Sequence, residues 1–245
     1  MSEQQQRARR LGLYGLAAHL DDAGTETWPA QLLAWEEEAR HQRSLERRVK
    51  AAKLGRFKAM GDFDWNHPSR IDRRLIDDLF TLSFIEAGVN VIIVGPNGVG
   101  KSMLARNLAH TALVGGHSVY FTAASAMLND LAAEDSAMAL EQRLRKLCRP
   151  SVLVLDEVGY MSYGLRHADL LFEVISRRYE RQRPVIVTTN RPFTEWGETF
   201  PNATCVVTLV DRLVHRCEVV HVDGTSFRLK ESLDRRHARS QERSR

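Results

Sequence analysis

Gly95-Pro96-Asn97-Gly98-Val99-Gly100-Lys101-Ser102 decides how this chain is read. The eight residues match G-x-x-x-x-G-K-[ST], the phosphate-binding loop. Their surroundings match too. Val91-Ile92-Ile93-Val94 is a short apolar run that reads as a buried strand, and Met103-Leu104-Ala105-Arg106-Asn107-Leu108-Ala109 follows with helical character. A loop between strand and helix offers backbone N–H groups and a helix N-terminus to anionic phosphates. Gly95 and Gly100 permit backbone angles and a close approach that a Cβ would hinder. Lys101 is placed to reach the β- and γ-phosphates, and the Ser102 hydroxyl to ligate Mg²⁺. The expected nucleotide-binding set is Gly95, Pro96, Asn97, Gly98, Val99, Gly100, Lys101, Ser102 and Met103. A chance Gly-rich turn would lack the flanking strand and helix.

A second motif adds chemistry. Val152-Leu153-Val154-Leu155-Asp156-Glu157 is an apolar strand ending in two acids. An acid at a strand end can sit near Mg²⁺, and Asp156 has that place. Glu157 is the candidate to orient or deprotonate the attacking water. Val185-Ile186-Val187-Thr188-Thr189-Asn190 is another apolar strand with a polar tip. Asn190 is positioned to bond the water or the γ-phosphate, or simply to cap the strand, since Asn is common at turns. In Asp211-Arg212-Leu213-Val214-His215-Arg216 the two arginines are four apart and share a face if the segment is helical. An arginine reaching a neighbouring subunit's γ-phosphate stabilises transition-state charge. The alternative is a surface pair bonded to Asp211 or Glu218. His215 reads as a packing or surface residue.

The chain has 245 residues, 43% hydrophobic and 27% charged, ordinary for a globular protein. No apolar run approaches the roughly 20 residues that span a bilayer, and the first residues lack a signal-peptide pattern. Cys148, Cys205 and Cys217 are odd in number and widely spaced, which predicts a reducing cytoplasm without disulfides and without a structural zinc. The net charge of +4 is unevenly placed. Arg40, Arg43, Arg47, Arg48, Lys50, Lys53, Arg56 and Lys58 face one acid, Glu46, over 19 positions. These eight are the candidate DNA-phosphate contacts, with a solvated helix face as the alternative. With about six of them on phosphates, log K would fall with log salt at a slope near −5. No base-reading motif accompanies them, so little sequence specificity is expected.

The organisation predicted is a helical N-terminal domain over 1–60, a linker over 61–68, an ATPase domain over 69–233 and a disordered basic tail over 234–245. Residues 7–20, 29–58 and 69–87 read as helices. Strands are predicted at 91–94, 118–122, 151–155, 184–189 and 217–222. Helices at about 102–114, 125–147 and 166–181 separate the first four. That alternation predicts a parallel sheet covered on both faces. Phe63 and Trp65 are placed to anchor the linker on the following domain.

With these motifs assembled, the chain resembles the IstB-like ATP-binding proteins, helper ATPases of bacterial insertion sequences in the DnaA/DnaC branch of AAA+ proteins. The resemblance covers nearly the whole chain. It rests on Phe63-Asp64-Trp65, Phe84-Ile85-Glu86, the phosphate loop, Leu155-Asp156-Glu157 and Thr188-Thr189-Asn190. The most family-specific piece is Asp211 through Val220, followed by Gly224-Thr225-Ser226-Phe227-Arg228. The resemblance implies an α/β P-loop NTPase fold and Mg²⁺-dependent ATP hydrolysis. It also implies a homo-oligomer formed with ATP on double-stranded DNA and recruitment of a cognate transposase. In that branch the D-R-x-x-x-R pattern carries the inter-subunit arginine, which favours Arg216 with Arg212 in support. Asn190 takes the position called sensor 1. No C-terminal helical lid is expected.

Two other functions share this core. A DnaC-type helicase loader predicts a helicase partner and a preference for single strands. An ATP-binding regulator with negligible turnover belongs to a different class, and intact Lys101, Asp156 and Glu157 argue against it. A transporter ATPase lacks its Ser-Gly-Gly-Gln signature here, a GTPase its Asn-Lys-x-Asp. A small-molecule kinase would carry a substrate lid in place of a basic N-terminal domain.

Overall fold

A computed structural model of the chain describes residues 1–21, 27–160, 164–200 and 203–232; the tail read at 234–245 lies outside the described residues. The chain divides into two compact units, Met1–Lys50 and Ala51–Arg245.

The first unit carries α1 (Glu3–Arg10), α2 (Tyr14–His19) and most of α3 (Trp28–Ala52). Ser2 opens α1 with a capping box: its hydroxyl accepts from the Gln5 N–H at 3.2 Å, and the Gln5 side chain accepts from the Ser2 N–H at 2.8 Å. The helix expected over 7–20 is divided at Gly12, whose φ of +72° a glycine tolerates without strain. Ala8, Leu11, Ala17, Leu20 and Leu33 form a small apolar core. Glu37 pairs with Arg7, and Arg40 donates to the Leu11 carbonyl, so some of the α3 charge holds this unit together.

α3 ends at Ala52, short of the expected 58. Left-handed Lys53 (φ +57°) and Gly55 (φ +66°) turn the chain there. Residues 51–60, read from the sequence as the end of the N-terminal domain, pack within the second unit. Asn107 donates to the Lys58 carbonyl at 3.0 Å, and the Phe57 ring lies 5.7 Å from His110.

The second unit begins with β1 (Arg70–Ile71), α4 (Arg73–Phe80) and α5 (Ser83–Glu86). The single helix expected over 69–87 is broken by Leu82, which is left-handed at φ +68°. Then follow β2 (Asn90–Val94), α6 (Lys101–Val114), β3 (Val119–Ala123), α7 (Ala124–Ala132) and α8 (Ala137–Cys148). Ser136 starts α8 by accepting from the Ala139 N–H, dividing the expected helix over 125–147. The unit continues through β4 (Val152–Val158), α9 (Leu165–Glu180), β5 (Val185–Thr189), α10 (Trp196–Thr199), α11 (Ala203–Val214) and β6 (Cys217–Asp223).

The strands form a six-stranded sheet among the described residues, ordered β1-β6-β2-β5-β4-β3. All neighbours are parallel except β1 on β6. Val91, Ile92 and Ile93 in β2, and Val152 through Leu155 in β4, are almost fully buried. Such continuous apolar runs suit a sheet covered on both faces. Each such side chain contributes roughly 1.5–3 kcal/mol by burial.

Two buried polar side chains tie the strand starts together. Asn90 donates to the Leu213 carbonyl at 3.0 Å and accepts from the Val185 N–H at 2.9 Å. Arg178, fully buried, donates to the carbonyls of Leu147, Pro150, Ser151 and Pro184 at 2.8–3.2 Å. Because the sheet is parallel, the loops leaving β2, β4, β5 and β6 gather at one edge, where ligands bind in such folds. No helix among the described residues is long and apolar enough to cross a membrane.

Candidate functional site

The loop from Gly95 to Gly100 joins the buried end of β2 to the first turn of α6. Gly100 precedes the helix at φ +102°, and a Cβ there would lie 2.8 Å from the Phe63 ring. At Gly95 a Cβ would collide with the Val222 carbonyl. Both glycines are therefore required by contacts with segments far away in sequence. Asn97 through Met103 line a cavity of about 360 Å³, large enough for a small ligand.

Lys101, the first residue of α6, is 4% exposed. Its ammonium donates to the carbonyls of Gly95 at 2.8 Å and Pro96 at 2.7 Å. Burial pushes its pKa down to about 8, against the raising pull of Asp156 and Glu157 and with a further lowering by Arg228. The Ser102 hydroxyl donates to Asp156 Oδ1 at 2.8 Å. Motifs 54 residues apart therefore meet because β2 and β4 flank β5 and end at the same edge.

β4 changes register at its acids. Leu155 pairs with Val187 and Val158 with Thr189, so one extra residue bulges from β4. Glu157 adopts φ +62°, uncommon for a residue with a side chain. The result separates the two acids: Asp156 is 6% exposed, whereas Glu157 is exposed and lines the cavity. Thr188 bridges them. Its hydroxyl donates to Asp156 Oδ1 at 2.6 Å and accepts from the Glu157 N–H at 2.9 Å.

Asn190 follows β5 beside this bulge, outside the cavity lining. Its side-chain oxygen is buried with no hydrogen-bond partner among the described residues. Buried polar atoms normally have partners, so this one is available to a ligand or water.

The two arginines of the D-R-x-x-x-R segment do not share a helix face. α11 ends at Val214, leaving Arg216 exposed in the turn before β6. Arg212 stacks its guanidinium over Phe172 at 4.9 Å and Tyr179 at 5.9 Å. β6 starts with Cys217 paired to Asn90, while Val94, before the phosphate loop, pairs with His221. Arg216 therefore stands at the opposite edge of the sheet, roughly 15 Å along the strands from the loop of its own chain.

Several cavity residues escaped the sequence reading. The presumed linker lines the cavity with Asp62, Phe63, Asp64, His67 and Pro68. The segment after β6, helical over 227–232, adds Phe227, Arg228 and Glu231. The two are joined by Lys58–Glu231 at 2.7 Å, Lys230–Asp64 at 3.2 Å and His67 Nε2 to the Thr225 carbonyl at 2.8 Å. The Lys230 and Asn66 contacts hold the Asp64 carboxyl below its ordinary pKa. Tyr160 also lines the cavity, and burial with Glu157 and Asp156 nearby raises its phenol. Arg106 brings its guanidinium 3.8 Å from Asp156 Oδ2 and 4.2 Å from the Phe121 ring. Its place four residues after Ser102 on α6 was a readable signal.

The eight candidate DNA contacts are dispersed. Arg40 binds Glu36 and the Leu11 carbonyl, Lys53 lies over the Tyr120 ring at 5.5 Å, and Lys58 lines the cavity beside the Gly95–Ser102 loop. Arg48 donates to Ser44 at 2.7 Å, and Arg56 is exposed in the second unit. Arg43, Arg47 and Lys50 are exposed on α3 at i, i+4 and i+7 spacing, which places them on one helix face, although Arg43 also pairs with Glu36 at 3.2 Å and Arg47 donates to Ser44 at 3.4 Å.

Known proteins resemble this chain in fold and in sequence. The DnaI crystal structure superposes with a TM-score of 0.56 at 19% identity, covering 71% of this chain and 92% of that one. An ATP-binding protein named for insertion sequence IS5376 of Geobacillus stearothermophilus is 37% identical over 201 residues, 82% of this chain and 80% of its own length. One named for IS21 of Pseudomonas aeruginosa is 38% identical over 192 residues, 78% and 72% respectively. The family model described as IstB-like ATP binding protein matches residues 13–235, which include the phosphate loop, the Asp156-Glu157 pair, Asn190 and the Asp211–Arg216 segment. The α/β sheet, its phosphate loop and this match together make the chain a member of the IstB-like ATP-binding protein family.

Proposed function

We propose that this chain is an Mg²⁺-dependent ATPase that assists transposition of an insertion sequence. In this reading it assembles with ATP on duplex DNA and recruits the transposase. The observation that carries the reading is the convergence of Lys101, Ser102, Asp156 and Glu157 at one edge of the sheet, beside a cavity of about 360 Å³.

The residues suit the chemistry. Lys101 moves from the Gly95 and Pro96 carbonyls to the β- and γ-phosphate oxygens, while the N–H groups of the loop and the first turn of α6 bind the rest. Ser102 and Asp156 offer the hard oxygen donors that Mg²⁺ prefers in phosphate sites, where one or two carboxylates suffice. The cation would neutralise charge developing on the phosphates. Glu157 takes the proton from the attacking water, and Asn190 orients that water or the γ-phosphate. Arg216 serves the site of an adjacent copy, because it stands too far from its own. Hydrolysis thereby requires assembly. Arg43, Arg47 and Lys50 supply the DNA-phosphate contacts of the first unit. Names of relatives supply the insertion-sequence context.

Nucleotide titration of Lys101→Ala against the wild type tests the core of this reading. Losing charge-assisted bonds worth about 1.5–3 kcal/mol each weakens ATP binding at least about tenfold, while the variant still melts cooperatively as a folded protein. Unchanged ATP affinity in that variant contradicts the site assignment.

A further inference from the structure

The bridge made by Thr188 carries an inference that rests on the ATPase reading and deepens it. Thr188 is fully buried near the end of β5, after the apolar residues Val185, Ile186 and Val187. The direction of both its hydrogen bonds is fixed. A carboxylate accepts, so the hydroxyl proton goes to Asp156 Oδ1 at 2.6 Å; an amide N–H donates, so the hydroxyl oxygen accepts from Glu157 at 2.9 Å.

One side chain thus connects the acid that receives the Ser102 hydroxyl to the backbone of the acid that lines the cavity. The position is where the geometry needs support. The β4 bulge takes Glu157 out of regular pairing with β5 and into left-handed backbone. Such conformations persist when surrounding contacts over-determine them. Here a β5 side chain meets the Glu157 N–H at the bulge.

We propose that Thr188 is a positioning residue for hydrolysis. Its hydroxyl locks the Glu157 backbone to the Asp156 carboxylate and so aims the Glu157 side chain into the cavity. Thr188 itself does not line the cavity. A displaced general base slows the chemical step, by as much as about 10²-fold for a 1 Å error, without loosening the grip of the phosphate loop on ATP.

The test compares wild type, Thr188→Val, Thr188→Ser and Glu157→Gln for ATP affinity, kcat, KM and melting temperature, with Mg²⁺ and duplex DNA present. Val keeps the shape without the hydroxyl; Ser keeps the hydroxyl without the methyl. The expected result is a kcat reduced about 10- to 100-fold in Thr188→Val at near-wild-type ATP affinity, with most of the rate restored in Thr188→Ser. A wild-type kcat in Thr188→Val, while Glu157→Gln is inactive, overturns the inference and leaves the ATPase reading standing. Equal losses in the Val and Ser variants also overturn it, because the hydroxyl would not be the cause. A wild type that never hydrolyses ATP overturns the reading beneath it.

Discussion

The phosphate-loop motif and the basic run on α3 both announce themselves in the sequence, yet the fold treats them differently. At the cavity, Ser102, Asp156 and Thr188 come within hydrogen-bond distance because adjacent parallel strands end together. Each element positions another's side chain. In the basic run, the fold disperses what the sequence groups. Lys58 goes to the cavity, Lys53 to an aromatic ring and Arg40 to internal bonds, leaving Arg43, Arg47 and Lys50 exposed on one helix face. A spaced motif survives folding because its spacing encodes the fold. A charge run carries no such geometry.

The largest expected effect separates two arginines that the sequence treats as a pair. Arg216→Ala lowers DNA-stimulated hydrolysis by about 10³-fold or more, the range of arginine fingers, while ATP binding to the monomer is unchanged. Arg212→Ala chiefly destabilises the fold, by about 1–2 kcal/mol through lost stacking on Phe172 and Tyr179. Hydrolysis rates and thermal melts of both variants check this; full activity in Arg216→Ala breaks the contrast.

A second test uses the buried cation at the cavity. Lys101 in the free protein loses its proton near pH 8. Bound phosphates favour the ammonium, so ATP binding above pH 8 takes up a proton. The Kd for ATP then rises by up to about tenfold per pH unit above 8 and is flat with respect to this group below it. Folding has the opposite sign. The unfolded lysine keeps its proton to about pH 10.5, so the unfolded chain binds more protons between about 8 and 10.5. This group's contribution to stability therefore rises with pH through that window. Titrations and melts from pH 7 to 9.5 measure both trends, and Lys101→Ala should abolish both.

The smallest effect concerns the basic face. With Arg43, Arg47 and Lys50 on phosphates, log K for duplex DNA falls with log salt at a slope of about −3, shallower than six contacts would give. Neutralising all three should flatten the slope toward zero. A slope unaltered by the triple substitution would locate the DNA contacts elsewhere.

What the sequence disclosed follows the same physics. The strands at 91–94 and 184–189 were legible as apolar runs, and the phosphate loop, Asp156 and Glu157 by spacing. Breaks were harder. Leu82 carries no left-handed signature, and Ser136 was readable as a cap only with the structure in view. That Phe63 anchors the linker on the following domain was legible, but not that it packs on Gly100, 37 positions away. Thr188 reads in the sequence only as part of a polar strand tip, since hydroxyls at strand ends are common and the bulge that gives this one a task is invisible in one dimension. The shared face expected of Arg212 and Arg216 failed because the helix stops two residues before Arg216.

The central claim is that ATP held beside Glu157 drives assembly on duplex DNA and that hydrolysis releases it. Glu157→Gln, mixed with ATP, Mg²⁺ and duplex DNA and followed for both particle mass and phosphate release, tests it most directly. The account predicts bound ATP, no turnover, and large assemblies on duplex DNA that outlast those of the wild type. Turnover at the wild-type rate, or assembly indifferent to ATP and to duplex DNA, contradicts it; a response confined to single strands would point to a helicase-loader activity instead.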